Sequence, residues 1–409
     1  MAFRPAAVLD GAALLERFQA LDAFLVEHQA LWRPKPFTER RLPWEDQHPA
    51  LSAWLRQRSL DDAEAAHNQP HHLPAPAPFP ALAERSTALS ELSEFPAAQL
   101  TPRSRLDVDV PGRKWQQIHA FASRLGLDSA PRSWLDWCAG KGHLSRLLAS
   151  QGQPVCSLEW DAQLVEAGER LSARLQLPVS HHCQDVMAAD VLAHLRADQA
   201  PVALHACGDL HIRLLHLASS AGCGHIALAP CCYNRIADEH YQPLSAAAAG
   251  STLRLSLDDL RIPMQETVTA GARVRRQRDE SMARRLAFDL LQREIRQQDE
   301  YLPTPSLPPS WLNKPLADYC RELCELKGLH LDYEPDWQRL ERSAWECLAQ
   351  VRNLELLRAL FRRPLECWLA LDRALFLEEN GYRTRLGSFC PPSLTPRNLL
   401  ILAEKRQAE

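Results

Sequence analysis

A short apolar segment that ends in a glycine-containing turn constrains the fold of this chain more than any other feature. The segment reads Trp134-Leu-Asp-Trp-Cys-Ala-Gly-Lys-Gly-His-Leu-Ser145, with Gly140 and Gly142 in the turn. Glycine at such a turn leaves the backbone open to a ligand that a side chain would block. The pattern therefore predicts a strand, a ligand-binding turn and a helix, which together form the first unit of an α/β sheet.

Short apolar segments alternate with helical patterns along the middle of the chain, which is typical of a parallel sheet. Two further strand patterns follow a long helical stretch, about Ala272 to Glu379, so we predict a Rossmann-like seven-stranded sheet whose last strand inserts antiparallel. The predicted strands are Ser133–Cys138, Pro154–Glu159, Val179–Val186, Pro201–Ala206, His225–Ala229, Tyr382–Ser388 and Asn398–Ala403.

The sequence pattern divides the chain into four predicted parts. Residues 1–105 are a helical module with a Pro-rich linker between Gln69 and Pro80, where proline removes backbone donors. Residues 106–265 form the core, 266–380 a helical insertion, and 381–409 the strands that complete the sheet. We expect the module and the insertion to cover the carboxyl edge of the sheet as a lid.

The composition excludes several classes of protein. Of the 409 residues, 46% are hydrophobic and 24% are charged, which is the makeup of a globular chain. The formal net charge of -4 provides no global positive field for nucleic acid, so we predict no DNA partner. No stretch approaches the ~18 uncharged residues of a membrane span, and no targeting segment is evident, which predicts a cytoplasmic protein with reduced cysteines.

Acidic residues at two strand ends indicate a nucleoside cofactor. Glu159 lies 17 residues after Gly142, the distance expected between a glycine turn and a carboxylate that binds ribose hydroxyls. Ser145 stands where a dinucleotide fingerprint has glycine, which favours S-adenosylmethionine over NAD. Asp185 can accept from the adenine amine while Val186 covers the ring. Either carboxylate alone could be a helix N-cap, but their order and spacing together favour the cofactor.

Further residues complete the predicted cofactor site. Lys114, before the first strand, is a candidate for the methionine carboxylate, although a surface lysine is the default there. The others lie in the glycine turn or at strand ends, and they are Asp136, Cys138, Ala139, Trp160 and His205.

The fourth and fifth predicted strands end in His205-Ala-Cys-Gly-Asp209 and Pro230-Cys-Cys-Tyr-Asn-Arg235. Because carboxyl ends line the ligand crevice of an open α/β sheet, these segments are the predicted reaction centre. His205, which could also be structural, and Asp209 and Tyr233 are the catalytic candidates. Arg397 and Asn398 could instead only cap the turn after Pro396. The substrate-binding candidates are Cys232, Tyr233, Asn234, Arg235, Arg397 and Asn398.

Four cysteines fall near the carboxyl ends of predicted strands, so a metal or iron-sulfur site is conceivable. Their spacing along the chain argues against it, and buried cysteine commonly serves as a small apolar residue. We therefore predict no metal at Cys138, Cys207, Cys231 or Cys232.

Four separated motifs carry a resemblance to a known family: DWCAGKGHLSRLLA, LHACGDL, LAPCCYN and TPRNLLILA. Together they resemble the methyltransferase domain shared by eukaryotic proteins labelled "ribosomal RNA adenine dimethylase domain-containing" and methyltransferase-like relatives. More distantly they resemble tRNA 2′-O-methyltransferases with a Cys-Cys-His-His segment. The resemblance covers about Arg113 to Asp238 and Tyr382 to Ala403. It implies a class I, S-adenosylmethionine-dependent methyltransferase.

Three classes of methyl acceptor stay open. The chain reads CCYN where the tRNA branch has CCHH, and it lacks an N-terminal zinc-finger grouping. A small soluble thiol such as glutathione fits this acidic chain, because a free thiol with a pKa of ~8.5 is already partly ionised. RNA is the alternative, with the basic run Arg273 to Arg278 as either a phosphate contact or a solvated helix face. The second alternative is a protein acceptor or a non-catalytic binding role.

Overall fold

The computed structural model describes residues 7–100, 105–126, 131–265 and 271–406. Within them one sheet contains eight strands, numbered in chain order. They are β1 (Leu9–Asp10), β2 (Ser133–Trp137), β3 (Val155–Glu159), β4 (Val179–Cys183), β5 (Gln199–Cys207), β6 (His225–Cys231), β7 (Tyr382–Ser388) and β8 (Leu399–Lys405). The strand order across the sheet is β1-β7-β8-β6-β5-β2-β3-β4.

The helices are also numbered in chain order. The first group is α1 (Ala12–Glu27), α2 (Gln29–Trp32), α3 (Pro49–Arg56), α4 (Leu60–Ala66), α5 (Phe79–Ser90) and α6 (Gly112–Ala122). The second is α7 (His143–Ala149), α8 (Ala162–Arg174), α9 (Asp209–Ser220), α10 (Ala246–Ala249) and α11 (Leu257–Arg261). The third is α12 (Ala272–Arg296), α13 (Leu316–Leu326), α14 (Trp337–Ala359) and α15 (Arg362–Glu379). None of the helices in the described residues combines the length and apolarity needed to cross a membrane.

The sheet confirms the predicted α/β class. Five strands run parallel in the order β6-β5-β2-β3-β4, and β8 inserts antiparallel between β6 and β7. The predicted number of seven strands is wrong. Strand β1 is the eighth, with Leu9 opposite Leu386 on β7, because a two-residue strand before a helix leaves no recognisable alternation in the sequence.

Local sequence explains where the central elements begin. Strand β2 is buried along its whole length, as a central parallel strand covered on both faces must be. Helix α8 begins at Asp161, whose side chain accepts hydrogen bonds from the amides of Gln163 and Leu164 at 2.8 and 3.3 Å. Because β2 to β6 run parallel, their carboxyl ends and the loops that follow them lie at one edge of the sheet.

The chain forms two compact units. The sheet unit comprises the described residues of 1–27, 88–265 and 363–409. Helix α1 belongs to it because its buried face packs on α15, with the rings of Phe18 and Trp368 centred 5.1 Å apart. Residues predicted for the N-terminal module therefore contribute to this unit as well as to the second one, and nearly all of α15 lies here.

The helical unit comprises the described residues of 28–87 and 266–362. Helices α12, α13 and α14 share an apolar core around Phe288, Leu323 and Leu348. Arg352, on α14, donates to Glu64 at 2.7 Å and to Asp279 at 3.0 Å, which ties the two chain segments together. The lid role predicted for the insertion stays a prediction.

The basic run at the start of α12 is engaged within the helical unit. Arg275 lies 3.0 Å from the carboxylate of Glu64, and Arg284 donates to Glu280 at 2.6 Å. These ion pairs favour the interpretation of this run as a helix face over that of a phosphate-binding surface.

Candidate active site

The turn after β2 has the backbone geometry that its glycines predict. Gly140 and Gly142 have φ of +57° and +66°, in the left-handed region. A Cβ built on Gly140 would meet nothing within 4 Å, so the backbone there faces open space. At Gly142 the same atom would lie 2.6 Å from the ring of His181, which makes this glycine a packing requirement.

Glu159 at the end of β3 is fixed by backbone amides. One carboxylate oxygen accepts from the amide of Gly140 at 2.9 Å, and the other accepts from Trp160 and Asp161 at 3.0 and 3.1 Å. The side chain is 8% exposed. The carboxylate is thereby held against the glycine turn, as the prediction for a ribose-binding group requires.

The other predicted cofactor residues around β2 are Asp136, Cys138 and Ala139. Asp136 is buried and accepts from the amide and hydroxyl of Ser145 at 3.1 and 2.5 Å, so it orients the start of α7. Burial raises the pKa of Asp136 to about 7. Burial also raises the pKa of the Cys138 thiol to about 12, which keeps it neutral. Ala139 donates its amide to the carbonyl of Leu158 at 2.9 Å and serves the turn through its backbone.

The loops after β3 and β4 contain an exposed tryptophan, an exposed carboxylate and a buried valine. Trp160 is 76% exposed, Asp185 is exposed with its carboxylate accepting from the amide of Met187 at 2.9 Å, and Val186 is buried. The exposed indole after β3 leaves aromatic surface for an adenine, whereas Val186 is covered and its place over the ring stays a prediction.

His205, near the end of β5, has a left-handed backbone with φ of +65°. Its Nε2 atom lies 3.2 Å from the side-chain carbonyl of Gln117 on α6. Burial, together with the positive charges of Lys114 and Arg397, lowers the pKa of His205 to about 4. The imidazole is therefore neutral at neutral pH, and it can orient a ligand better than it can store a proton.

Asp209 ties together the loops that follow β5 and β6. Its amide donates to the carbonyl of Arg235 at 3.0 Å, and its carboxylate accepts from the amide of Ala237 at 2.7 Å. A Cβ on the preceding Gly208 would lie 1.9 Å from that same carbonyl of Arg235. These contacts give Asp209 a positioning role, and its catalytic role stays a prediction.

Three thiols converge where β5 and β6 end. The Sγ atoms of Cys207, Cys231 and Cys232 all lie within 4.8 Å of one another. Hydrogen bonds from the other two thiols, and then the charges of Arg397 and Arg235, hold the pKa of Cys232 well below its usual range. The large separation of Cys207 from the other two cysteines along the chain gives no sign of this proximity.

Two predicted substrate residues need correction, because the fold has buried them. Tyr233 is fully buried with its ring 4.9 Å from the guanidinium of Arg373, and burial raises its pKa well above the usual value. Asn398 is 2% exposed, accepts from Arg363 at 2.8 Å and donates to the carbonyl of Cys390 at 2.6 Å. Asn398 is thus occupied by internal hydrogen bonds and Tyr233 by packing, while the buried hydroxyl of Tyr233 has no hydrogen-bond partner among the described residues.

The remaining substrate candidates stay accessible. Arg235 is exposed and Asn234 partly exposed in the loop after β6. Arg397 is 11% exposed, and its guanidinium lies 4.0 Å from a carboxylate oxygen of Glu366. Lys114 is exposed on α6, close enough to His205 to influence its charge. Positive side chains from three separate elements thus face the ends of β5 and β6.

Sequence reasoning missed two residues at this edge. Gln117 lies in a helical pattern whose polar positions look alike, so nothing marked it as a partner of His205. Glu366 lies on α15, buried, with one oxygen accepting from Arg363 at 2.6 Å. The available signal is a carboxylate within the apolar run from Leu365 to Leu371.

The residues present fit S-adenosylmethionine. The open space at Gly140, the carboxylate of Glu159 and the exposed ring of Trp160 would take its methionine, ribose and adenine parts respectively. When bound, this cofactor supplies an electrophilic methyl group.

A match to a known protein family agrees with this fit. Residues 113–239 match the family model of a methyltransferase domain. Solved structures similar to the chain include an S-adenosylmethionine-dependent methyltransferase from Clostridium acetobutylicum, with 16% identity and a TM-score of 0.24 over 30% of this chain and 52% of that one. The chain thus spans about half the length of that relative.

Two further solved structures are similar to the chain at the same low level. Coclaurine N-methyltransferase, bound to N-methylheliamine and SAH, is 14% identical with a TM-score of 0.29, and the match covers 96% of this chain and 95% of that chain. The METTL16 methyltransferase domain is 16% identical with a TM-score of 0.23, over 47% of this chain and 80% of that one. At these TM-scores the structures indicate no acceptor. Residues 113–239 are therefore similar to a methyltransferase domain, and the open turn at Gly140 and the carboxylate of Glu159 lie within them.

Proposed function

We propose that the protein transfers the methyl group of S-adenosylmethionine to the sulfur of a small soluble thiol such as glutathione. The observation that carries the proposal is the set of positive charges at the ends of β5 and β6. Arg235 and Arg397 act on Cys232, and Lys114 and Arg397 act on His205. A thiolate with two carboxylates is an anion that this field attracts.

The chemistry asks little of the protein beyond positioning. The thiol loses its proton to solvent, and the thiolate attacks the methyl carbon in line with the sulfonium sulfur. The new carbon–sulfur bond forms as the sulfonium bond breaks, and that electron pair stays on the departing sulfur. His205, with a pKa of about 4, is too weak a base to hold the proton, which supports an orienting role.

Arg397 is the residue best placed to hold an acceptor carboxylate. Its pair with Glu366 is long, at 4.0 Å, while the other oxygen of Glu366 is satisfied by Arg363 at 2.6 Å. A ligand carboxylate can therefore compete for the guanidinium, which offers a bidentate fork that lysine does not.

The test offers the purified protein glutathione, cysteine and total small RNA with labelled S-adenosylmethionine. We expect label in glutathione, and label only in RNA would overturn the proposal. Arg397→Ala should raise the KM for glutathione at least about tenfold with little change in kcat. The matched control is Arg170→Gln on the exposed face of α8, which should leave both constants unchanged. An unchanged KM in Arg397→Ala would remove this residue from the acceptor site.

A further inference from the structure

The cluster of three thiols has the dimensions of a metal site. The Sγ atoms of Cys207 and Cys231 are 3.5 Å apart, and all three Sγ atoms lie within 4.8 Å of one another. In a tetrahedral zinc site with Zn–S bonds of about 2.3 Å, neighbouring sulfurs are about 3.8 Å apart. The 3.5 Å between Cys207 and Cys231 is close to this value, and the third sulfur lies near enough to both to share one ion.

Both strands adopt unusual backbone conformations where the cluster forms. Successive side chains of an extended strand point to opposite faces, which would separate Cys231 from Cys232. A left-handed φ of +46° at Cys232 interrupts that alternation. On β5, His205 is also left-handed and the pairing register shifts between Leu204 and Cys207, so that Cys207 lies opposite Cys231. Strain of this kind, at two separate positions, is typical of a functional site.

The surrounding charge suits a thiolate-bound cation. Three thiolates exceed the charge of a divalent ion, and a fourth would add to the excess. Arg235 and Arg397, the cations that act on Cys232, would offset it. Cys207 and Cys232 are also partly exposed, so the cluster is open to a ligand on one side.

We propose that Cys207, Cys231 and Cys232 bind one zinc ion whose fourth position takes the sulfur of the acceptor thiol. Three protein ligands with one open position is the arrangement of catalytic zinc sites. Coordination removes the thiol proton, which goes to solvent, and the bound sulfur then attacks the methyl carbon as the sulfonium bond breaks. The acceptor role rests on the proposed thiol methylation, whereas metal binding does not.

The expectation of no metal depended on chain spacing. Cys207 and Cys231 are 24 residues apart, and only the pairing of β5 with β6 brings them together. A second group in the sheet unit, Cys156, His182 and His194, also has ligand atoms within 4.8 Å of one another. It lies at β3 and β4, so any test must separate the two groups.

The first measurement is the zinc content of the purified protein. We expect about one zinc per chain, falling at least about tenfold in Cys207→Ser and in Cys232→Ser. Cys347→Ser, in the helical unit, is the matched control and should keep its metal. Protein without stoichiometric zinc that also fails to bind added zinc would overturn the proposal. Zinc that stays bound in both cysteine variants but is lost in His182→Ala would also overturn it. So would a disulfide among Cys207, Cys231 and Cys232 in protein purified under reducing conditions.

The second measurement needs no variant. Cobalt substituted for zinc should give thiolate-to-cobalt charge-transfer absorption, and glutathione should shift the cobalt d–d bands if its sulfur completes the coordination. If the spectrum shows thiolate ligands but glutathione neither changes it nor becomes methylated, the metal site is supported and the thiol acceptor is excluded. If metal-free protein methylates glutathione at full rate, the proposed metal site is excluded and the thiol acceptor is supported.

Discussion

The two halves of the carboxyl edge are built in different ways. The cofactor half, at the ends of β2 and β3, depends on near neighbours, since Gly140 and Glu159 are 19 residues apart. The acceptor half, at the ends of β5 and β6, depends on distant ones: 88 residues separate His205 from Gln117, and Tyr233 packs against Arg373, 140 positions further along the chain. A short motif can therefore specify the first half, whereas the second is sensitive to changes throughout the sheet unit.

The largest expected effect tests how tightly the acceptor half is packed. Gly208→Ala would place a Cβ 1.9 Å from the carbonyl of Arg235 at a φ of +51°. We expect the free energy of unfolding to fall by roughly 4 kcal/mol, from backbone strain together with steric overlap, as measured by chemical denaturation.

Gly381→Ala is the matched control for that variant. Gly381 also has a positive φ, +83°, but an added Cβ would meet nothing within 4 Å. It should cost only about 1 kcal/mol, from strain alone. Equal losses in the two variants would show that the loops after β5 and β6 can separate, and the contrast between the halves would weaken.

An intermediate effect is expected in the cofactor half. Glu159→Ala should reduce affinity for S-adenosylmethionine by about 2–4 kcal/mol, because two charge-assisted hydrogen bonds to ribose are lost. Calorimetry measures this directly, with Glu166→Gln on the exposed face of α8 as the control. Unchanged affinity in Glu159→Ala would exclude this carboxylate from the ribose site.

The smallest effect concerns the pH dependence of the cofactor half. Asp136 has a folded pKa of about 7, above its ordinary value of about 4, so the unfolded chain ionises first as pH rises. The folded protein should therefore lose about 2 kcal/mol between pH 5 and 6.5 from this group, with no further loss above pH 7.

Asp136→Asn should remove this component of the pH slope while Glu169→Gln, on an exposed face, retains it. Denaturation series at several pH values provide the comparison. An identical slope in wild type and Asp136→Asn would mean that Asp136 is ionised in the folded protein despite its burial.

The same contrast explains what could be predicted from sequence. The five parallel strands, the inserted last strand, the left-handed glycine turn and the held carboxylate of Glu159 all follow from local patterns. The glycine turn and Glu159 depend on residue types within one β-α-β segment, from β2 to β3. The binding roles of that turn and of Glu159, and those of Asp185 and Val186 for adenine, stay predictions.

The acceptor half resisted prediction for physical reasons. Position at a strand end suggested that Tyr233 faces the ligand, but packing against Arg373 on α15 buries it, and α15 lies far along the chain. Likewise, a register shift on β5 places Cys207 opposite Cys231, and no residue pattern predicts that shift. Side-chain direction after an irregular strand end depends on backbone angles that sequence alone does not supply.

The interleaving of the two units has a consequence for synthesis of the protein. Glu64 and Arg352, which pair in the helical unit, are 288 residues apart, and the strands from β2 to β6 are made between them. Helices α3 and α4 must leave the ribosome long before α14, against which they pack, exists. Their apolar faces stay exposed during that interval, so nascent or C-terminally truncated chains should be clients for chaperones and prone to aggregate.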